Sequence, residues 1–131
     1  RNLNNREFIR AFQVMDGIIQ NNQPIFMVVW PGSVVALMVA AALGFGHLDM
    51  TGHWLLIVAT LAYLLGVQLP TLTINIPLNN RLQSLNVDAM DESALAAARG
   101  AFEGRWNRWN VIRTVVSCLV SLLLIVLLLG Y

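Results

Sequence analysis

The chain has 131 residues, of which 57% are hydrophobic and only 11% charged, with a formal net charge of +1. That balance excludes an ordinary soluble domain and supplies no basic surface for nucleic acid; it is the composition of a single integral membrane domain. All eight basic residues are arginine, and the lone cysteine, Cys118, has no intrachain disulfide partner and reads as a small apolar packing residue.

The sequence begins with Arg1 and not Met, so an upstream segment, including a further span, is expected before it. Residues 1–20 lack the apolar core of a signal peptide. Residues 6–20 are amphipathic: Phe8, Phe12, Met15 and Ile19 recur at helical spacing and predict an interfacial or bundle-capping helix. Pro24 then restricts the residue before it and breaks the pattern. Residues 24–45 are long and apolar enough to form a first span, with a kink expected at Trp30-Pro31-Gly32. The loop GHLDMTGH follows. A second span is expected over residues 54–76, bent at Pro70 and ended or bent again at Pro77. Residues 79–91 are polar, and Asp88 and Asp91 suit helix starts. Residues 92–129 read as one long helix, beginning Ala-rich and soluble and continuing as a third span. The fold class is an all-α membrane helical bundle.

Arginines set the expected orientation. Arg1, Arg6 and Arg10 precede the first span, and Arg81, Arg99, Arg105 and Arg108 lie between the second and third. The loop between the first two spans has none. The N-terminal helix and the 79–110 segment are therefore expected on the cytoplasmic side of a cell membrane, with the histidine-bearing loop and Tyr131 outside.

Two polar clusters stand out at the span ends. With about 100° per residue, Arg99, Glu103, Trp106, Trp109, Asn110, Arg113 and Ser117 share one arc of the last helix. Gln68, Thr71, Asn75 and Asn79 share a narrower arc of the second span. Both adjoin the same membrane boundary, so Asn75 and Asn79 are expected to meet Trp109, Asn110 and Arg113 in a pocket between the second and third spans, with Gln13 and Asp16 closing its mouth. Arg113 lies inside the apolar run, where an Arg costs about 2.5–3.5 kcal/mol at a span centre and less near an end. It needs acceptors, and Glu103, Asn75 or Asp16 would supply them. Simple anchoring competes as a reading for Arg105, Trp106 and Arg108, and repair of proline-freed carbonyls competes for Asn75 and Asn79. His47, Asp49 and His53 fall in one short loop without a second cluster, so no metal site is predicted and solvated loop residues are the better reading.

The run Asn75-Ile-Pro-Leu-Asn79, followed by W-x-R-W-N-x-x-R-T from Trp106 to Thr114, resembles the anthrone oxygenase-like family of small membrane proteins. The segment FQVMDGIIQNNQPIF, from Phe12 to Phe26, is similar to that family's helix before its second span. The resemblance covers nearly all of the chain. It implies four spans in full-length relatives, so this chain looks like one lacking the first. It also implies oxidation of polyketide anthrones to anthraquinones by O₂ without an evident metal or flavin, hence no cofactor. Many relatives have Asn where this chain has Asp16.

Such chemistry needs a base and donors for an oxyanion. The expected catalytic set is Asp16 as base with Arg113 and Asn79. The expected substrate-binding set is Asn75, Trp106, Trp109 and Asn110, the indoles stacking on a flat aromatic ligand. Two other readings stay open: a non-catalytic accessory or structural subunit of a larger membrane complex, and a quinone- or lipid-binding module using the same pocket. Expected partners are membrane lipid and a flat apolar aromatic or quinone; the apolar faces would also suit a homo-oligomer.

Overall fold

A computed structural model describes residues 3–21, 23–44 and 46–130. Arg1, Phe45 and Tyr131, on which parts of the orientation and first-span expectations rest, lie outside the described residues. The fold is all-α, with no strand among the described residues. Four helices follow one another: α1 (Asn5–Gln20), α2 (Pro24–Gly44), α3 (Met50–Gln83) and α4 (Glu92–Gly130). The last three are long and apolar enough to cross a membrane.

α1 starts at a reciprocal cap: the Asn4 side chain accepts the Glu7 N–H and the Glu7 carboxylate accepts the Asn4 N–H, each at 2.9 Å. Its buried residues are Ile9 and Asp16. Phe8 and Phe12 pack on Phe102, but Met15 points outward, 68% exposed. The stripe Phe8–Phe12–Met15–Ile19 is therefore not the buried face. Its second half is displaced because the protein interior there is polar, as described below.

α2 runs unbroken through Pro31. It packs chiefly on α3, where Ser33 Oγ lies 2.6 Å from the Tyr63 hydroxyl. α3 starts on Asp49, whose carboxylate accepts the Gly52 N–H at 2.7 Å, while His53 Nδ1 sits 2.8 Å from the Asp49 carbonyl oxygen. The loop acid is thus a helix cap.

α3 neither stops at residue 76 nor breaks at its prolines. It widens into two π turns, Leu64–Gln68 and Thr71–Asn75, just ahead of Pro70 and Pro77. A proline lacks an N–H and crowds the preceding turn. Admitting one extra residue into that turn relieves the crowding without ending the helix. The Thr71 and Thr73 hydroxyls donate to the Val67 and Leu69 carbonyls at 2.6 and 2.7 Å, which occupies two of the carbonyls in the disturbed stretch. α3 comes so close to α4 that a Cβ on Gly66 would meet a Val116 methyl at 2.8 Å.

The connection to α4 is clamped from α1. Arg6 donates to the Val87 and Met90 carbonyls at 2.6 and 2.9 Å, and Gln13 donates to those of Leu82 and Leu85 at 2.9 and 3.0 Å. Asp88 pairs with Arg10 and Arg6, so only Asp91 starts a helix in the α-helical sense. The Asp91 carboxylate accepts the Ala94 N–H and the Ser93 hydroxyl, each at 2.8 Å. These bonds, the Ala94 one first, hold its carboxyl below the ordinary carboxylate range. At this end of the molecule Ile9, Leu82, Val87, Leu95 and Phe102 form an apolar core, flanked by Phe12, Leu78 and Trp106.

Candidate functional site

Beside that core lies a cavity of about 310 Å³. Its polar wall comes from three helices: Asp16 and Gln20 of α1, Thr71, Asn75 and Asn79 of α3, and Trp106, Asn110 and Arg113 of α4. Its apolar lining comes mainly from α2, with Phe26, Met27 and Trp30, and is completed by Ile19 of α1 and Ile76 of α3. Phe26 and Trp30, one helical turn apart, stack with centroids 5.9 Å apart and planes only 12° from parallel.

Asp16 is 6% exposed and held at both oxygens. Asn79 Nδ2 donates to Oδ1 at 2.8 Å, and Gln20 Nε2 donates to Oδ2 at 2.6 Å. Asn79 is in turn oriented by Trp106, whose indole N–H donates to Asn79 Oδ1 at 2.8 Å. Trp106 cannot swing, because it stacks on Phe102 at 5.9 Å and meets the edge of Phe12 at 5.4 Å. The order Trp106 → Asn79 → Asp16 therefore fixes which way the Asn79 amide points and delivers its N–H to the carboxylate. Each carboxylate oxygen keeps a further lone pair for a ligand proton.

Asn75 and Arg113 behave differently. Asn75 is 3% exposed, yet neither its Nδ2 nor its Oδ1 has a hydrogen-bond partner among the described residues. Arg113 Nε is buried and likewise without one. Glu103, expected as a partner for Arg113, bonds Arg99 instead at 2.7 Å, one turn away on the water-side stretch of α4. Buried polar groups of this kind are normally paired. Here they face an empty volume, so the cavity can accept a polar ligand edge without first breaking internal bonds.

Of the residues expected from sequence, Asp16, Asn75, Asn79, Trp106, Asn110 and Arg113 line this one cavity, and Trp109 does not. On α4, Asn110 and Arg113 lie within about 40° of Trp106, whereas Trp109 is about 60° round on one side. The expected arc was wider than the cavity. Gln13 is also absent from it, being spent on the carbonyls of Leu82 and Leu85. The Trp106 ring packs on Phe12 and Phe102, and Phe26 and Trp30 of α2 are the other aromatic residues in the cavity lining. Those two, with Met27, Gln20 and Asn80, are lining residues that sequence reasoning missed, whereas Thr71 belongs to the polar arc expected on the second span. The available signal was the aromatic pair at i, i+4 at the start of α2, which reads equally as an ordinary interfacial belt.

A family model described as anthrone oxygenase matches residues 24–123. The match takes in most of the chain, including Trp30, Asn75, Asn79, Trp106 and Arg113, and the chain belongs to that family. α1 with Asp16 precedes the matched stretch. No curated protein and no solved structure matches.

Proposed function

We propose that the cavity is a reaction chamber in which a flat aromatic ketone carrying an acidic CH₂ is oxidised to a quinone by O₂, with the protein supplying the acid–base chemistry. The observation that carries this reading is that one cavity is lined by a buried carboxylate hydrogen-bonded at both oxygens, by unpartnered donors and by a stacked aromatic pair. Membership of the anthrone oxygenase family supports the reaction class.

Asp16 takes a proton from the CH₂, and the C–H electron pair moves through the ring onto the ketone oxygen. Arg113 and the Asn75 amide donate to that oxyanion, where fixed donors in a shielded site stabilise developing charge most. The electron-rich carbon reduces O₂ and forms a C–O bond; Asp16 returns its proton to the resulting peroxide. Loss of the second C–H proton to Asp16 then drives cleavage of the O–O bond. The carbon becomes a carbonyl, and the departing hydroxide takes the proton from Asp16 and leaves as water. One O₂ is consumed and one water released per ketone, and Asp16 ends as it began. Phe26 and Trp30 cover one face of the ring system. Asn79 and Trp106 act as positioning residues through Asp16. The arginine bias of the 79–110 segment supports a cytoplasmic orientation for this end of the bundle.

A second reading uses the same cavity to hold a quinone without turnover, and it is favoured by the absence of internal partners on Asn75. One experiment separates the two. Purified protein given a simple anthrone is expected to raise O₂ uptake above the spontaneous rate, one O₂ per quinone formed. Arg113→Ala is expected to lower the rate by about 10²–10³, the usual cost of an oxyanion donor. Saturable quinone binding with no accelerated uptake would overturn the enzyme reading.

A further inference from the structure

Helix α1 reverses its patterning halfway along. In its first half Ile9 is fully buried while Glu7 and Arg10 face outward, as for a helix lying on a protein in water. In its second half the polar side chains face inward: Gln13 turns to the Leu82 and Leu85 carbonyls and Asp16 is 6% exposed. The most exposed apolar residues there are Val14, Met15 and Ile18, at 68%, 68% and 61%, while Gln20 in the last turn is exposed as well but turns its amide to Asp16. Burying a carboxylate while exposing a row of apolar side chains is unfavourable in water and favourable only if the surroundings are themselves apolar.

α3 shows the same reversal in its membrane-length stretch, with Gln68, Thr71 and Asn75 buried and Leu65, Leu69 and Leu72 outward. α2 likewise begins with outward apolar side chains, Ile25, Val28 and Val29, beyond the polar connection that starts at the exposed Gln20 and Asn21. Among the described residues from 11 to 46 the sole charged side chain is the buried Asp16. The border of this face is charged at one end only, at the exposed Glu7 and Arg10, with the uncharged Gln20 and Asn21 at the other, the pattern of a helix that leaves the aqueous side. The turning point is marked from the other side of the molecule. Phe12 touches Trp106, and Trp106 is flanked on α4 by the exposed Arg105 and Arg108, the residue types that gather where a span meets the headgroups.

We infer that the water–lipid boundary crosses α1 between Arg10 and Val14, and that Val14, Met15 and Ile18 form with the start of α2 a lipid-contact face. The partner is the bilayer itself. Asp16 and the cavity mouth then lie below the headgroups, and the ligand that the proposed function calls for is drawn from the membrane phase.

The test reads position and not turnover, so its failure is distinct from failure of the proposed oxidation. Single cysteines replace Glu7, Val14 or Ile18 in a Cys118→Ser background, each carries a nitroxide, and the protein is reconstituted in phospholipid vesicles. All three positions point outward, so the labels leave the core untouched. Collisions with O₂ are expected to exceed those with a water-soluble nickel complex at Val14→Cys and Ile18→Cys, and the order is expected to reverse at Glu7→Cys. Nickel access at Ile18→Cys equal to that at Glu7→Cys would overturn the inference. So would shielding of Val14→Cys and Ile18→Cys from both reagents, which would mean that protein covers the face. As a second measurement, the emission that Ile18→Trp adds to that of the parent chain's four tryptophans is expected to be quenched by lipids brominated on the acyl chain; no quenching of that added emission would overturn the inference as well.

Discussion

Two neighbouring layers of this bundle are built on opposite rules. In the layer of Ile9, Leu82, Val87, Leu95 and Phe102 the interior is apolar and the arginines outside it are paired: Arg6 and Arg10 with Asp88, Arg99 with Glu103. About two helical turns further along α1, the interior holds Asp16, Asn75, Asn79 and Arg113 around a cavity, and the outside is mostly apolar. The first layer is what a small protein uses to stay folded. The second leaves amide and guanidinium groups without partners, an arrangement that costs stability and makes sense where a ligand completes it. The difference teaches that stability and chemistry are segregated along the helix axes, and mutations should separate them.

The largest effect is expected at the carboxylate. Asp16→Asn keeps the shape but removes the proposed base, and turnover measured by O₂ uptake should fall about 10²–10⁴-fold. Next comes a contrast between two aromatic residues. Phe102→Ala opens a hole in the apolar layer and should cost about 3–5 kcal/mol of stability, read by chemical denaturation in detergent. Trp30→Ala should leave stability little changed yet weaken binding of a flat quinone, by about 0.5–1.5 kcal/mol if the stacking is of ordinary strength. If both variants lose stability alike, the two layers are not distinct.

A finer contrast is between two asparagines one turn apart on α3. Asn79→Leu strips a donor from Asp16 and an acceptor from Trp106, and should destabilise by about 1–3 kcal/mol. Asn75→Leu removes an amide that bonds to nothing among the described residues; it should be neutral or stabilising, while abolishing selectivity for oxygenated ligands. The smallest effect is at the water-side cap of α4. Because the folded-state pKa of Asp91 is depressed, its contribution is present above the unfolded carboxylate value of about 3.9 and disappears as pH falls through the lower folded value. Asp91→Asn should therefore lower the melting midpoint slightly at neutral pH and make no difference in strong acid.

The all-α membrane class was legible in the sequence, because three long apolar stretches admit little else. The polar residues that gather at the cavity were also visible, since Asn75, Asn79 and Arg113 sit where a span should be apolar. What sequence could not supply was local geometry. Two π turns let α3 continue past Pro70 and Pro77, and nothing in composition distinguishes a widened turn from a break. The buried side of α1 was misjudged at Met15 because apolar periodicity shows a face without saying whether protein or lipid covers it. Trp109 and Trp106 look alike in the motif; only the rotation of α4 and the Asn79 oxygen separate them.

The central claim is that a flat ligand sits between the Phe26–Trp30 wall and the Asn75–Arg113 donors. It is tested most directly by titrating anthraquinone, the inert product type, into vesicle-reconstituted protein while following tryptophan emission. The account predicts saturable quenching that Trp30→Phe largely removes and that Arg113→Gln shifts to higher ligand concentration. Quenching that rises linearly without saturation, or that is the same in both variants as in the parent chain, would contradict it.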